Sequence, residues 1–238
     1  MIEARGLQHH FTIGKRGRER QVPVLRDIDL TIEQGEIVAI VGRSGSGKST
    51  LLHILSGYLR PTAADALRVQ GQDVSGFGEG EWARFRLERY GFMFQSFQLI
   101  PSMTAFENIE LPLTLKGVAP ARRRARTFEL MERFGIADNA GHYPGELSGG
   151  QQQRVSVARA LALEPPLVLA DEPTGSLDSA NEANLLGLIR ELNRERGTTF
   201  VLITHDEQVA RIAHRRLLLQ DGRLQPQGKE APYIHEVY

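Results

Sequence analysis

Apolar and polar positions alternate with a period of two over Leu7 to Ile13 and again over Val24 to Ile32, so each run predicts a half-buried strand. The basic stretch Lys15-Arg16-Gly17-Arg18-Glu19-Arg20 between them predicts a hairpin loop. Glu36 to Val41 is instead a continuous apolar run followed at once by glycines. That texture suits a strand buried on both faces of a parallel sheet, and Leu51 to Leu55 behind it reads as a helix. Leu67 to Gln70 predicts an edge strand turning at Gly71-Gln72-Asp73, Glu81 to Arg89 a charged helix, and Tyr90 to Gln95 a further strand.

From Ser96 to about Leu163 strand runs vanish and helical ones replace them: Thr104 to Lys116, a helix opened by Pro120 with Ala121, Ala125 and Phe128 on one side, and Gln152 to Leu163 with Val155, Ala158 and Leu161 on one side. Alternation of strand and helix then resumes. Leu167 to Ala170 is a strand, Asn181 to Arg196 a helix with Leu185, Ile189 and Leu192 inward, and Thr199 to Thr204 a strand. Arg215 to Gln220 and Leu224 make a last hairpin through Asp221-Gly222. Alternating units predict an α/β fold with a mostly parallel sheet covered by helices, an antiparallel β part at the N-terminus and a helical insertion.

Composition narrows the function classes. The 238 residues amount to about one and a half domains, which suits one domain with an insertion. Lysine and arginine number 29 and aspartate and glutamate 29, a balance that argues against a nucleic-acid partner held by phosphate neutralisation. Cysteine is absent, which excludes thiolate metal sites, disulfides and a cysteine nucleophile. No run reaches the 18 or so apolar residues of a membrane helix, and Met1 to Arg5 lacks the apolar block of a signal peptide, so a soluble, cytoplasmic chain is expected. Glycine is in excess, at 24 residues, and where those glycines fall decides the chemistry.

Gly42-Arg43-Ser44-Gly45-Ser46-Gly47-Lys48-Ser49, with Thr50 after it, follows a predicted strand and opens a helix. Backbone N–H groups of such a loop point at phosphate oxygens and the helix N-terminus adds its positive dipole end. Lys48 supplies a point charge for the β and γ phosphates, and Ser49 a hydroxyl for magnesium. Leu167 to Ala170 ends in Asp171-Glu172, where such folds hold magnesium through the aspartate, and a neighbouring carboxylate can orient or deprotonate water. Leu147-Ser148-Gly149-Gly150-Gln151 is a second anion seat at a helix start, in a chain with one phosphate-loop lysine.

At these residues the sequence resembles the ATP-binding cassette family, whose motifs continue in order with Gln95, Ser176-Leu177-Asp178 and His205. The resemblance implies a P-loop NTPase of RecA-like fold, with core 1–95 and 164–226, helical subdomain 96–163 and a tail 227–238. It also implies an ATPase that acts as a homodimer on ATP and Mg²⁺ beneath separately encoded membrane permeases, at the inner face of the cell membrane. Ser148, Gly149, Gly150 and Gln151 of one copy would clamp the ATP held by Lys48 of the other. Gln95 would join Ser49 and Asp171 at magnesium and sense the permease, Glu172 would be the general base, His205 would hold the γ-phosphate, and Asp178 would communicate across the interface. Phe11 either stacks on adenine, as an aromatic does at that position in the family, or packs in the core. Gly91 to Ile109 and Leu169 to Asp178 look like the MacB and LolD group, which drives lipoprotein, peptide or drug export. The other reading in that family is an ATPase that regulates cell-division or cell-wall machinery through a membrane partner.

Phe97, Leu99 and Ile100 either dock that partner as exposed apolar surface or pack within the insertion. Ala63-Ala64-Asp65 replaces the serine–glycine turn common in the family. Asp73-Val74-Ser75-Gly76 reads as a turn, His9-His10 as a strand-edge pair, His53 as packed, and Arg122, Arg123, Arg124 and Arg126 as a solvated helix face.

Overall fold

The computed structural model describes residues 1–15 and 18–227; the middle of the expected basic loop and nearly all of the tail lie outside them. Two sheets organise the chain. In the first, β1 (Ile2–Ile13) pairs with β2 (Arg20–Ile32) on one side and β4 (Ala66–Val69) on the other, and β5 (Gln72–Asp73) closes the order β2-β1-β4-β5, all antiparallel. The segment at Leu67 is therefore an inner strand, against the edge position expected of it. Gln70 and Gly71, at φ 53° and 77°, fold the chain straight back so that the two-residue β5 takes the edge.

The second sheet contains β3 (Ile37–Val41), β6 (Tyr90–Phe94), β7 (Leu167–Asp171), β8 (Thr199–Thr204), β9 (Arg215–Gln220) and β10 (Arg223–Gln227) in the order β10-β9-β3-β8-β7-β6. Only β10 runs antiparallel; Asp221 and Gly222, at φ 50° and 74°, give its hairpin the left-handed two-residue turn that strand twist favours. Every residue of β3 and β8 is buried, and each buried apolar side chain there contributes about 1.5–3 kcal/mol. Parallel pairing leaves the β3, β8, β7 and β6 ends level: Val41 faces Thr204, Ile203 faces Asp171, and Asp171 faces Phe94. Residues far apart in sequence thus meet just beyond one end of the sheet.

Helices α1 (Lys48–Leu55) and α2 (Glu79–Arg89) join the antiparallel sheet in a core that holds Leu51, Ile54, Trp82 and Phe85. On the other face, α6 (Ser179–Arg196) buries Leu185, Ile189 and Leu192, and the short α7 (Glu207–Arg211) adds Val209. The insertion, α3 (Ala105–Leu115), α4 (Pro120–Arg133) and α5 (Gly149–Ala160), has a core of its own around Ile109, Leu130, Met131 and Val155. α5 serves both bodies: Val155 and Ala158 face the insertion, Val157 and Ala160 the sheet.

Several local expectations need correction. α4 buries Thr127, Leu130 and Met131, whereas Ala121 and Ala125 are exposed, because the helix turns its few bulky apolar side chains inward and alanine loses little in water. Arg122, Arg123, Arg124 and Arg126 are not one solvated face: Arg123 pairs with Glu110 at 3.2 Å and Arg126 with Glu164 at 3.0 Å, and of the four only Arg122 and Arg124 are exposed. His53 is exposed, edge-on to Tyr58 at 6.4 Å. His9 is buried on an inner strand, not at an edge, with its ring 4.7 Å from Phe11. Asp73 does form a turn, accepting from the Ser75 N–H at 2.9 Å, and Asp65 closes the chain against β1 through its N–H to the Arg5 carbonyl.

Candidate active site

A cleft of about 930 Å³ opens beyond the level strand ends. Its walls include Arg43, Ser44, Gly45, Gly47, Lys48, Ser49 and Thr50 from the loop after β3, Gln95 after β6, Asp171 and Glu172 at the end of β7, and His205 after β8. Open parallel sheets bind ligands at this end.

The loop is shaped by its glycines. Gly47, at φ 104°, begins α1, and a Cβ there would lie 2.9 Å from Leu25 Cδ2 and 3.1 Å from the Val24 carbonyl oxygen. A Cβ on Gly42 would stand 2.3 Å from the Leu219 carbonyl oxygen. Backbone therefore packs tightly behind the loop while its front faces the cleft. Lys48 is buried, with Nζ donating to the carbonyls of Gly42 at 2.7 Å and Arg43 at 3.1 Å. This curls its ammonium over the loop, and the α1 N-terminus lies directly beneath. A polyanion chain fits that arrangement: one fixed cation, a helix dipole and N–H groups on one side.

Across the cleft, burial pushes the Asp171 carboxyl above its usual range, a hydrogen bond from Ser49 pulls it down, and the Glu172 charge raises it again. A half-buried carboxylate beside a hydroxyl is a donor pair suited to a hard divalent cation. Glu172 sits at φ 47°, a left-handed conformation uncommon outside glycine, with its N–H donating to the Ile203 carbonyl at 2.9 Å. There its Oε1 is 2.8 Å from His205 Nδ1, whereas Oε2 is only distantly approached by Thr204 Oγ1 at 3.5 Å. With its proton on Nδ1, His205 fixes one oxygen and leaves the other to accept a proton.

Gln95 lies against the segment after Glu172: its backbone carbonyl accepts from Ser176 Oγ at 2.9 Å, and a Cβ on Gly175 would meet its Nε2 at 2.7 Å. Phe11 is 42% exposed and lines the cleft beside Val24, so it is not a core residue. Ser46, behind the loop, has a buried hydroxyl with no partner among the described groups, 2.8 Å from where a Gly42 Cβ would be.

The second seat is built differently. Ser148 caps α5 by accepting from the Gln151 N–H at 3.3 Å, and Gln151 Oε1 accepts from the Ser148 N–H at 2.8 Å. Ser148 and Gly149 are exposed, and none of Ser148, Gly149, Gly150 and Gln151 lines the cleft. Asp178 also lies outside it, capping α6 by accepting from the Asn181 N–H at 2.8 Å.

Residues that sequence reasoning passed over tie the two seats together. Arg159, on α5, donates to the carbonyls of Gln98 at 2.7 Å and Phe97 at 2.8 Å, and Ser156 Oγ donates to Phe97 at 3.1 Å. These bonds hold Phe97 and Gln98 at φ 58° and 47°, two successive strained residues separated from Gln95 by Ser96 alone. The only sequence signal was a serine and an arginine in the otherwise apolar half of α5. Phe97 is thereby buried, 9% exposed, so of its two readings it takes packing within the insertion; Leu99 and Ile100 are half-buried. The Ile100 N–H also donates to the fully buried Asn108, at 2.8 Å, so the whole segment is pinned to the insertion.

The model of the ABC transporter family matches residues 25–175, a span running from the second strand through the phosphate loop and the second seat to just past Glu172. The chain belongs to that family. It is an ATP-binding, ATP-hydrolysing ABC cassette. The cassette is 58% identical over 224 residues to the ABC transporter ATP-binding protein YtrE of Bacillus subtilis, covering 94% of this chain and 96% of YtrE. It is 48% identical over 224 residues to the macrolide export ATP-binding/permease protein MacB 1/2 of Paracoccus denitrificans. There the match covers 94% of this chain and 33% of the relative, so the cassette spans about a third of the length of that fused protein. Among solved structures, the dimeric post-hydrolysis state of the ATP-binding cassette MJ0796 bound to ADP and Pi superimposes with a TM-score of 0.88 at 37% identity, over 97% of this chain and 100% of that one. Among the described residues of the cassette, no helix is long and apolar enough to cross a membrane.

Proposed function

We propose that two copies of this cassette stack head to tail and hydrolyse two ATP molecules at shared sites, driving a membrane permease of the MacB and LolD type from the inner face of the cell membrane. One observation carries the reading: the cleft with Lys48, Asp171, Glu172 and His205 contains none of Ser148, Gly149, Gly150 and Gln151, whose seat lies exposed outside it. A helix N-terminus of this kind suits a phosphate, which in this arrangement would come from the other copy. The dimeric MJ0796 cassette and the ATP-binding/permease architecture of MacB support the two partnerships. Domain boundaries at about 95 and 164 separate the core from the insertion that carries the second seat.

In this reading Lys48 and the N–H groups of Gly42 to Thr50 hold the β and γ phosphates, and Phe11 stacks on the base. Ser49, Asp171 and Gln95 would hold a magnesium ion, whose chemistry there would be neutralisation of phosphate charge. Glu172 Oε2 takes the proton of a water that attacks the γ-phosphorus. The bond to the β–γ bridging oxygen breaks, and ADP leaves with that oxygen. His205 keeps Glu172 Oε1 occupied through Nδ1. Gln95, lying against Gly175, would link the cation site to the segment leading to Asp178 and the partner copy.

The test is trapping. Glu172→Gln with ATP is expected to elute as a dimer from a sizing column, and adding Lys48→Ala to the same chain should return it to monomer. A Glu172→Gln chain that stays monomeric at saturating ATP would contradict the shared site.

A further inference from the structure

A second cleft, of about 370 Å³, lies between α5 and α6, away from the nucleotide cleft. Val157 and Leu185 floor it and Phe134 and Leu188 form its apolar side. Gln153 lines it while only 5% exposed, and its Nε2 has no hydrogen-bond partner. A buried amide donor left unpaired costs free energy that an acceptor in the cleft would recover. Arg154 stands beside it without an ion-pair partner among the described residues, and the acid at the rim, Glu191, is neutralised by Arg133 at 2.7 Å. Donor, unmatched cation and apolar wall together describe a ligand with one carboxylate and an aliphatic body. The cleft also touches the second seat: Asn181 lines it, and a Cβ on Gly150 would lie 2.8 Å from Asn181 Nδ2.

We propose that this cleft is a regulatory site for an aliphatic carboxylate, bound through Gln153 and Arg154 and transmitted to Gly150 through Asn181. The transmission rests on the shared-site reading; the binding does not. Titrating sodium decanoate into the full chain by calorimetry without nucleotide is expected to give one saturable site. Gln153→Leu and Arg154→Glu should each weaken it about tenfold or more, and Leu188→Trp, which fills the cleft, should abolish it at an unchanged melting temperature. Non-saturating heats, equal affinity in all three variants, or equal binding of 1-decanol would overturn the site. In the ATPase assay decanoate should change the rate of the wild type and leave Leu188→Trp unaffected. Saturable binding with no change in rate would retain the site and overturn its coupling to Gly150.

Discussion

The two anion seats share one design, glycines and a serine at the start of a helix, and differ in everything around it. The α1 seat is backed by the sheet: Lys48 is buried and tied to two carbonyls, and Asp171, Glu172 and His205 arrive from neighbouring strand ends. The α5 seat is exposed and its cap is closed by its own Ser148 and Gln151; beside Gly150 stands Asn181, which donates to Asp178 at 2.8 Å. The difference teaches that a helix N-terminus alone does not make a site. Position at the sheet end gives the first seat its surrounding side chains, and in the proposed dimer a location on the insertion makes the second one a clamp delivered to another molecule.

That contrast can be broken from either side. The largest effect is expected at the first seat: Glu172→Gln should lower kcat by about 10²–10⁴ with ATP affinity retained. Steady-state hydrolysis beside a nucleotide titration checks it, and near-normal turnover would remove Glu172 from the role of base. At the second seat, Gly150→Ala brings a Cβ against Asn181; it should cost about tenfold in kcat and leave ATP binding by the isolated chain unchanged. Loss of binding there would erase the distinction between the seats. Phe11→Ala should weaken nucleotide binding about 3- to 10-fold, the worth of one aromatic contact, and an unchanged affinity would free Phe11 from the base.

The smallest effect concerns the support beneath Phe11. Burial, and then the charge of His10, hold His9 below its usual pKa of 6.5. The fold therefore favours neutral His9, and the unfolded chain takes up a proton first as pH falls through about 6.5. Stability should decline modestly below that pH, and His9→Phe should flatten the decline in denaturant midpoints measured between pH 5.5 and 7.5. An equal decline in the variant would assign the effect elsewhere.

The sheet was largely legible in the sequence. Phe200 to Ile203, within Thr199 to Thr204, and Leu167 to Ala170 are unbroken apolar runs of the kind a doubly covered strand carries, and the observed strands match them to within a residue at each end. α4 was misread because its alanines are indifferent to burial and its inward Thr127 does not register as apolar. Phe97 could not be resolved by pattern, since an apolar cluster looks the same under a partner as under its own insertion; Arg159, more than sixty positions away, decides it. The left-handed backbone at Glu172 likewise has no local sign. It depends on its hydrogen bond to Ile203, on a strand contributed from further along the chain.

The central claim is that each working site is assembled from both seats, one from each copy. Lys48→Ala and Ser148→Arg chains should each be inactive alone, the first unable to bind ATP and the second still binding it. Mixed one to one, half the dimers are heterodimers with one intact site out of two, so the account predicts recovery of up to about a quarter of wild-type ATPase activity. No recovery at any mixing ratio, with heterodimers verified by differential tags, would contradict it.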